Sequence, residues 1–139
     1  MQNKYYVPSI EEFRVGFEYE EKSSGLWTKQ IYNESSPILN AQIWDEYGCK
    51  LDTIKDYIEQ EQVRVKYLDT SDIESFGFSH IGALWFENIE KSYRIRKWKG
   101  NEVDIYKWWI TGDNNLIFRG KIKNKSELQQ VLKMIGVIG

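Results

Sequence analysis

The 139-residue chain has one cysteine, one histidine and two prolines. A lone Cys49 has no partner within the chain, and two cysteines at least are needed for a disulfide or for thiolate-bound zinc. With His80 the only imidazole, no His–His metal pair exists, and nothing in the sequence around Cys49 and His80 marks them as a dyad. Gly112 and Gly120 fall in a turn and a strand, so no glycine-rich phosphate loop opens a helix. No apolar run approaches the ~20 residues that span a bilayer. The beginning of the chain, Met1-Gln2-Asn3-Lys4-Tyr5, has no secretory-type apolar stretch, and these features together predict a cytoplasmic protein away from membranes. No cofactor and no metal site is expected.

What the chain has in quantity is aromatic: 6 Trp, 9 Tyr and 6 Phe, or 15% of its residues. With 41% hydrophobic and 29% charged residues it can bury a core, and aromatics favour strands and interfaces. The length suits one domain, expected over 1–139. The net charge of −2 hides an asymmetry. Residues 1–90 carry 8 Lys and Arg against 17 Asp and Glu, whereas residues 91–125 carry 10 against 3. Two surfaces of opposite sign are implied.

Residues 13–20 alternate, with Phe13, Val15, Phe17 and Tyr19 on one face, which predicts a half-buried strand. Ser23-Ser24-Gly25 then punctuates, and Leu26 to Tyr32 reads as its hairpin partner. Residues 33–50 read as a long connection. Asp52 can cap a helix to about Gln60 with Ile54, Tyr57 and Ile58 inward, and Val63 to Leu68 is a further strand. Ser71-Asp72-Ile73-Glu74 has helix-start spacing, with Gly77 closing that short helix. Residues 93–98, 103–110 and 116–122 predict a three-stranded meander. A two-residue turn at Gly100-Asn101 would set Lys99 opposite Glu102, Lys97 opposite Asp104, Ile95 opposite Tyr106 and Tyr93 opposite Trp108. The next turn would bring Trp108 near Phe118 and Ile110 near Leu116. Asn124 to Glu127 caps a last helix whose Leu128, Val131, Leu132 and Ile135 recur at helical spacing before Gly136. The expected fold class is α+β: an antiparallel sheet including this meander, two short helices and a C-terminal helix.

Three stretches carry a resemblance: Val7-Pro-Ser-Ile-Glu-Glu-Phe-Arg-Val-Gly-Phe-Glu-Tyr-Glu20, Arg64-Val-Lys-Tyr-Leu-Asp-Thr-Ser-Asp-Ile-Glu-Ser-Phe-Gly-Phe78 and Phe118-Arg-Gly-Lys-Ile-Lys-Asn-Lys-Ser-Glu-Leu128. In that order they resemble a group of small accessory proteins encoded by phages and prophages of Bacteroidetes-type bacteria, with roughly 33–60 outside the likeness. That family has no assigned activity, so the resemblance implies a context and no catalytic residue. It implies a mobile-element protein inside a bacterial cell that binds a host or defence component, an inhibitor of the anti-CRISPR-like kind. A non-enzymatic binding protein is therefore expected.

Two surfaces are candidates for that binding. In the expected register the second face of the meander carries Arg94, Arg96, Trp98, Val103, Ile105, Lys107, Trp109, Ile117, Arg119 and Lys121. Of these, Arg94, Arg96, Trp98, Lys107, Trp109, Arg119 and Lys121 are the candidate contacts, since Arg and Trp are the usual anchors of protein interfaces. The bland alternative has a helix covering the apolar members while the arginines reach past it. A protein partner is favoured over nucleic acid because the whole chain is mildly acidic. The second candidate is the acidic cluster Glu11, Glu12, Glu18, Glu20 and Glu21, which could occupy a basic groove or simply keep the protein soluble. Two rival functions remain open. Glu18 and Glu20, with Lys22 at strand spacing, imitate a metal-dependent nuclease, to which Asp69 and Asp72 could add carboxylates. The basic aromatic meander could instead bind single-stranded nucleic acid.

Overall fold

The computed structural model describes residues 4–33, 53–108 and 114–138. Asp52, all but the first residue of the connection over 33–50, Trp109 and Ile110 lie outside the described residues, as does Cys49. The chain divides into two compact units, Met1–Lys66 and Tyr67–Gly139, each with an antiparallel sheet. The fold is α+β. Among the described residues no helix is long and apolar enough to cross a membrane.

The first unit contains β1 (Tyr5–Tyr6), β2 (Glu18–Ser23), β3 (Leu26–Ile31), helix α1 (Thr53–Glu59) and β4 (Val63–Lys66). The sheet order is β1-β4-β2-β3. The β2–β3 hairpin forms where expected: Ser23 pairs with Leu26 across Ser24 (φ 53) and Gly25 (φ 80). Two consecutive left-handed residues match the twist of a two-residue hairpin, and Gly25 adopts that conformation without strain. Phe17, Tyr19, Val63 and Val65 are buried, with Phe13, Ile54, Tyr57 and Ile58 packed against them. The strand expected over 13–20 begins later than its alternation suggests. Ser9 and Glu12 instead build a short 3-10 turn over Ile10–Glu12, in which the Glu12 carboxylate accepts from the Ser9 amide at 2.7 Å. Gly16 turns the chain at φ 94, leaving Val15 73% exposed.

The second unit contains α2 (Thr70–Glu74), β5 (Ser79–His80), β6 (Trp85–Asn88), β7 (Tyr93–Lys97), β8 (Glu102–Trp108), β9 (Asn114–Lys121) and α3 (Lys125–Met134). Its five strands form a meander in chain order, β5 to β9. Asp69, two residues before the expected start, caps α2: its carboxylate accepts from the Asp72 amide at 2.9 Å while Asp72 accepts from the Asp69 amide. Gly77 follows at φ 92, as anticipated. Asn124 caps α3 by accepting from the Glu127 amide at 2.9 Å. Leu128 and Leu132 are buried in one cluster with Phe86, Ile95, Val103 and Ile105. The sheet therefore has a core face, packed with α2 and α3 residues, and a second, outer face.

The register of the meander differs from the expected one by a single residue. The strands pair Ile95 with Ile105, Arg96 with Asp104 and Lys97 with Val103, and the Trp98 amide donates to the Glu102 carbonyl at 2.8 Å. The loop is thus three residues, Lys99-Gly100-Asn101, with positive φ at Gly100 (75°) and Asn101 (70°). Beyond it Ile105 faces Phe118, Tyr106 faces Leu116 and Trp108 faces Asn114. Burial explains the outcome. The two-residue turn would have aligned two ion pairs beside the loop, worth about 0–1 kcal/mol each even where water reaches them. It would also have turned Val103 and Ile105 outward, forfeiting about 1.5–3 kcal/mol for each side chain. Both are fully buried.

Candidate partner-binding face

A one-residue shift exchanges every side chain between the two faces of β8. Val103 and Ile105, expected on the outer face, are core. Asp104, Tyr106 and Trp108 join the outer face, although the two-residue turn predicts Trp108 inside. Lys107 leaves it, since its Nζ donates to the Lys91 carbonyl at 3.0 Å and lies 4.3 Å from the Tyr93 ring centre. Arg94, Arg96, Trp98, Arg119 and Lys121 remain on the outer face, as the sequence suggests, and Trp109 lies outside the described residues. Trp85 and Glu87 of β6 complete the group through the pairs Trp85–Arg96 and Glu87–Arg94.

Asp104 organises this face. Its carboxylate accepts from Trp98 Nε1 at 2.9 Å, from Arg119 Nε and Nη2 at 2.9 and 3.3 Å, and from the Tyr106 hydroxyl at 3.3 Å. Burial pushes the Asp104 carboxyl up, but the hydrogen bonds from Arg119, Trp98 and Tyr106 and the guanidinium charge outweigh it. The group is held below its ordinary range. The hydrogen bond and charge of Asp104, with Tyr106, raise the Arg119 guanidinium in turn. Arg94 pairs with Glu87 at 3.4 Å and lies 4.7 Å from the Trp108 ring centre.

Arg96 is different. It stands directly across from Asp104, yet the carboxylate's partners are Arg119, Trp98 and Tyr106. The Arg96 guanidinium lies over Trp98 at 3.6 Å and near Trp85 at 5.1 Å, and its buried Nε has no hydrogen-bond partner. Among the described residues Arg96 makes no ion pair. Stacking fixes the plane of the guanidinium, and a fixed fork suits a carboxylate or phosphate.

Most of the acidic candidates are engaged locally. Glu18 pairs with Lys29 at 3.6 Å and Glu20 with Arg64 at 3.0 Å, Arg64 being held between Tyr5 and Trp27 at 3.7 and 4.2 Å. Glu12 accepts from Ser9 and from the Tyr6 hydroxyl, while Glu11 is exposed on the same turn. Glu21 is buried on the opposite face of β2 from Glu20. Asp69 and Asp72 serve as the α2 cap. Among the described residues no group of three or more His, Cys, Asp and Glu could hold a metal ion. His80 is exposed, its ring stacked on Phe86 at 4.7 Å.

Burial raises the Glu21 carboxyl, and a hydrogen bond from Tyr57 only partly counters this. Such a group stabilises the fold below its unfolded pKa of ~4.3, and that contribution is lost as pH rises through the raised folded value. Glu21→Gln should therefore raise the urea midpoint at pH 7 and flatten its decline above pH ~4. A variant with a lower midpoint at pH 7 would show that the charged form is the stabilising one.

No protein-family model, curated protein or solved structure matches the chain.

Proposed function

We propose that the protein is a non-enzymatic binding protein whose outer sheet face in the second unit takes an acidic segment of a protein partner. The observation that carries this reading is Arg96: a cation fixed by two tryptophans, with no ion pair among the described residues, beside two arginines that are already paired. A carboxylate arriving there meets a half-buried, oriented guanidinium and supplies the ion pair that Arg96 lacks. The Trp and Arg around it are the residue types that dominate binding energy at interfaces. The resemblance to phage accessory proteins supports a host or defence protein as that partner, bound inside a bacterial cell and thereby inhibited.

A protein is favoured over single-stranded nucleic acid by the tryptophans themselves. Trp85, Trp98 and Trp108 each already have a guanidinium against the ring, which competes with base stacking. The nuclease reading is disfavoured because Glu18 and Glu20 are each engaged by a cross-strand cation.

The test is capture of the partner from host extract, its identification by mass spectrometry, and titration with purified components. Arg96→Gln should weaken binding by about 2 kcal/mol or more, some thirty-fold in Kd, with the thermal midpoint little changed. Undiminished binding by Arg96→Gln removes this reading. Tight, steeply salt-dependent binding of an oligonucleotide in place of protein assigns the face to nucleic acid. Magnesium-dependent cleavage lost in Glu18→Gln would restore the nuclease.

A further inference from the structure

The five-stranded sheet ends in two unlike edges. β5 is two residues long, the kind of short edge strand that resists further pairing. β9 has eight residues, contains no proline, and among the described residues pairs with β8 alone. From Leu116 to Lys121 its outward N–H and C=O groups form a row able to accept another strand, bounded at Lys123, whose carbonyl accepts from the Leu68 amide at 2.8 Å.

The side chains along β9 say which strand would fit. The outer face is arranged in lateral rows that run out to this edge. One row reads Trp85, Arg96, Asp104, Arg119, with the last three alternating in sign. The next, across Glu102 and Lys121, also ends on a cation. On the other side, the row Arg94, Tyr106, Leu116 ends on an apolar residue. A bulge at this point sets two β9 residues against one of β8. It leaves both Leu116 and Ile117 exposed, by 44% and 40%. The Arg119 side chain is 65% exposed although bonded to Asp104, so it can accept a second carboxylate. The edge is basic at its Lys121 end and apolar at its Leu116 end.

We propose that β9 is a strand-addition site, taking an extended segment of the partner with the order acidic, any, acidic, any, apolar. This deepens the proposed function and rests on its premise that the partner presents an acidic segment. Addition continues the antiparallel pattern of the sheet. The incoming chain then passes Lys121 first, Arg119 two residues later, and Leu116 with Ile117 last. Main-chain hydrogen bonds supply affinity, and the alternate side chains supply selection.

The probe is the fluorescein-labelled peptide Thr-Glu-Thr-Glu-Thr-Val-Thr, titrated into the full chain and followed by anisotropy. It should bind at least about ten-fold more tightly than the reversed peptide Thr-Val-Thr-Glu-Thr-Glu-Thr and more tightly than its glutamine analogue. Lys121→Glu, a change at an exposed position, should cost a similar factor. Two further peptides carry N-methyl groups on alternate amides, in the two possible phases. One phase should bind like the parent, and the other should lose about ten-fold or more, because only alternate amides face the edge.

Equal binding of both methylated peptides overturns strand addition, as does absence of binding at about 1 mM, the weakest range worth assigning. Equal binding of the reversed peptide overturns the stated order. Concentration-dependent self-association abolished by Lys121→Glu would give the edge to a second copy and overturn the proposal as well. Arg96→Gln separates the two readings. If it removes binding while methylation has no effect, the face reading stands and strand addition falls. If methylation removes binding while Arg96→Gln has no effect, strand addition stands and Arg96 is not the anchor.

Discussion

Asp104→Ala should lower the unfolding free energy by about 3 kcal/mol, measured by urea titration at neutral pH. Asp104 is 2% exposed and accepts hydrogen bonds from Trp98, Tyr106 and Arg119. Its removal strands the Trp98 indole N–H and the Tyr106 hydroxyl, both on half-buried residues, at a cost of about 1–3 kcal/mol for each donor left unmet. Arg119 is mostly exposed and recovers water. Arg119→Gln should therefore cost less than Asp104→Ala. Asp104→Asn keeps an acceptor for Trp98 and should fall between them.

The pH dependence of the same site has a defined direction. A carboxyl held below its ordinary value contributes stability that is present above the unfolded pKa of ~3.9. That contribution disappears as pH falls through the lower folded value. Loss of stability below pH ~4 should accordingly be shallower in Asp104→Asn than in the parent. If the two acid profiles coincide, Asp104 is not the group that titrates with unfolding.

The elements legible in the sequence are those whose signal is local. Helix α3 needs only the Asn124 cap and the spacing of Leu128 and Leu132. The β2–β3 hairpin needs only Ser24-Gly25 between two strand-like runs. Where a local signal competes with another, propensity alone misleads. The alternation over 13–20 is interrupted because Ser9 and Glu12 have capping-box spacing, and because Gly16 permits a turn that frees Val15 from the sheet. That spacing is readable in the sequence. Strands β5 and β6 are too short for periodicity to stand out, so the sequence does not single out Trp85, although Trp85 to Asn88 does alternate half-buried and buried.

The binding face is half legible for a single reason. Arg94, Arg96 and Trp98 precede the loop, and their common face is set by β7 itself. Asp104, Tyr106 and Trp108 follow it, and their side depends on whether the loop holds two residues or three. Both Gly100 and Asn101 tolerate positive φ, so turn chemistry permits either count. The decision lies with Ile95, Val103 and Ile105, which reach the helix-packed core together in only one of the two registers.

That register predicts an ordering of two substitutions on one strand. Ile105→Ala should destabilise the protein by about 3–4 kcal/mol, the range for truncating a fully buried aliphatic side chain whose cavity cannot collapse. Ile105 has no exposed surface, pairs with Ile95 and Phe118, and shares a cluster with Leu128 and Leu132. Trp108→Ala should cost only about 1 kcal/mol despite the larger side chain. The indole is half-buried at the end of β8 on the outer face, where Arg94 meets it in a contact of cation–π strength. The two-residue turn would reverse this order, placing Trp108 in the core and Ile105 outside. Urea midpoints of both variants decide the matter without any partner in hand. A Trp108→Ala protein less stable than Ile105→Ala would restore the other register and move Asp104 to the core face. Arg96 would then stand across from Ile105 rather than Asp104, and the charge argument for the outer face would lose its footing.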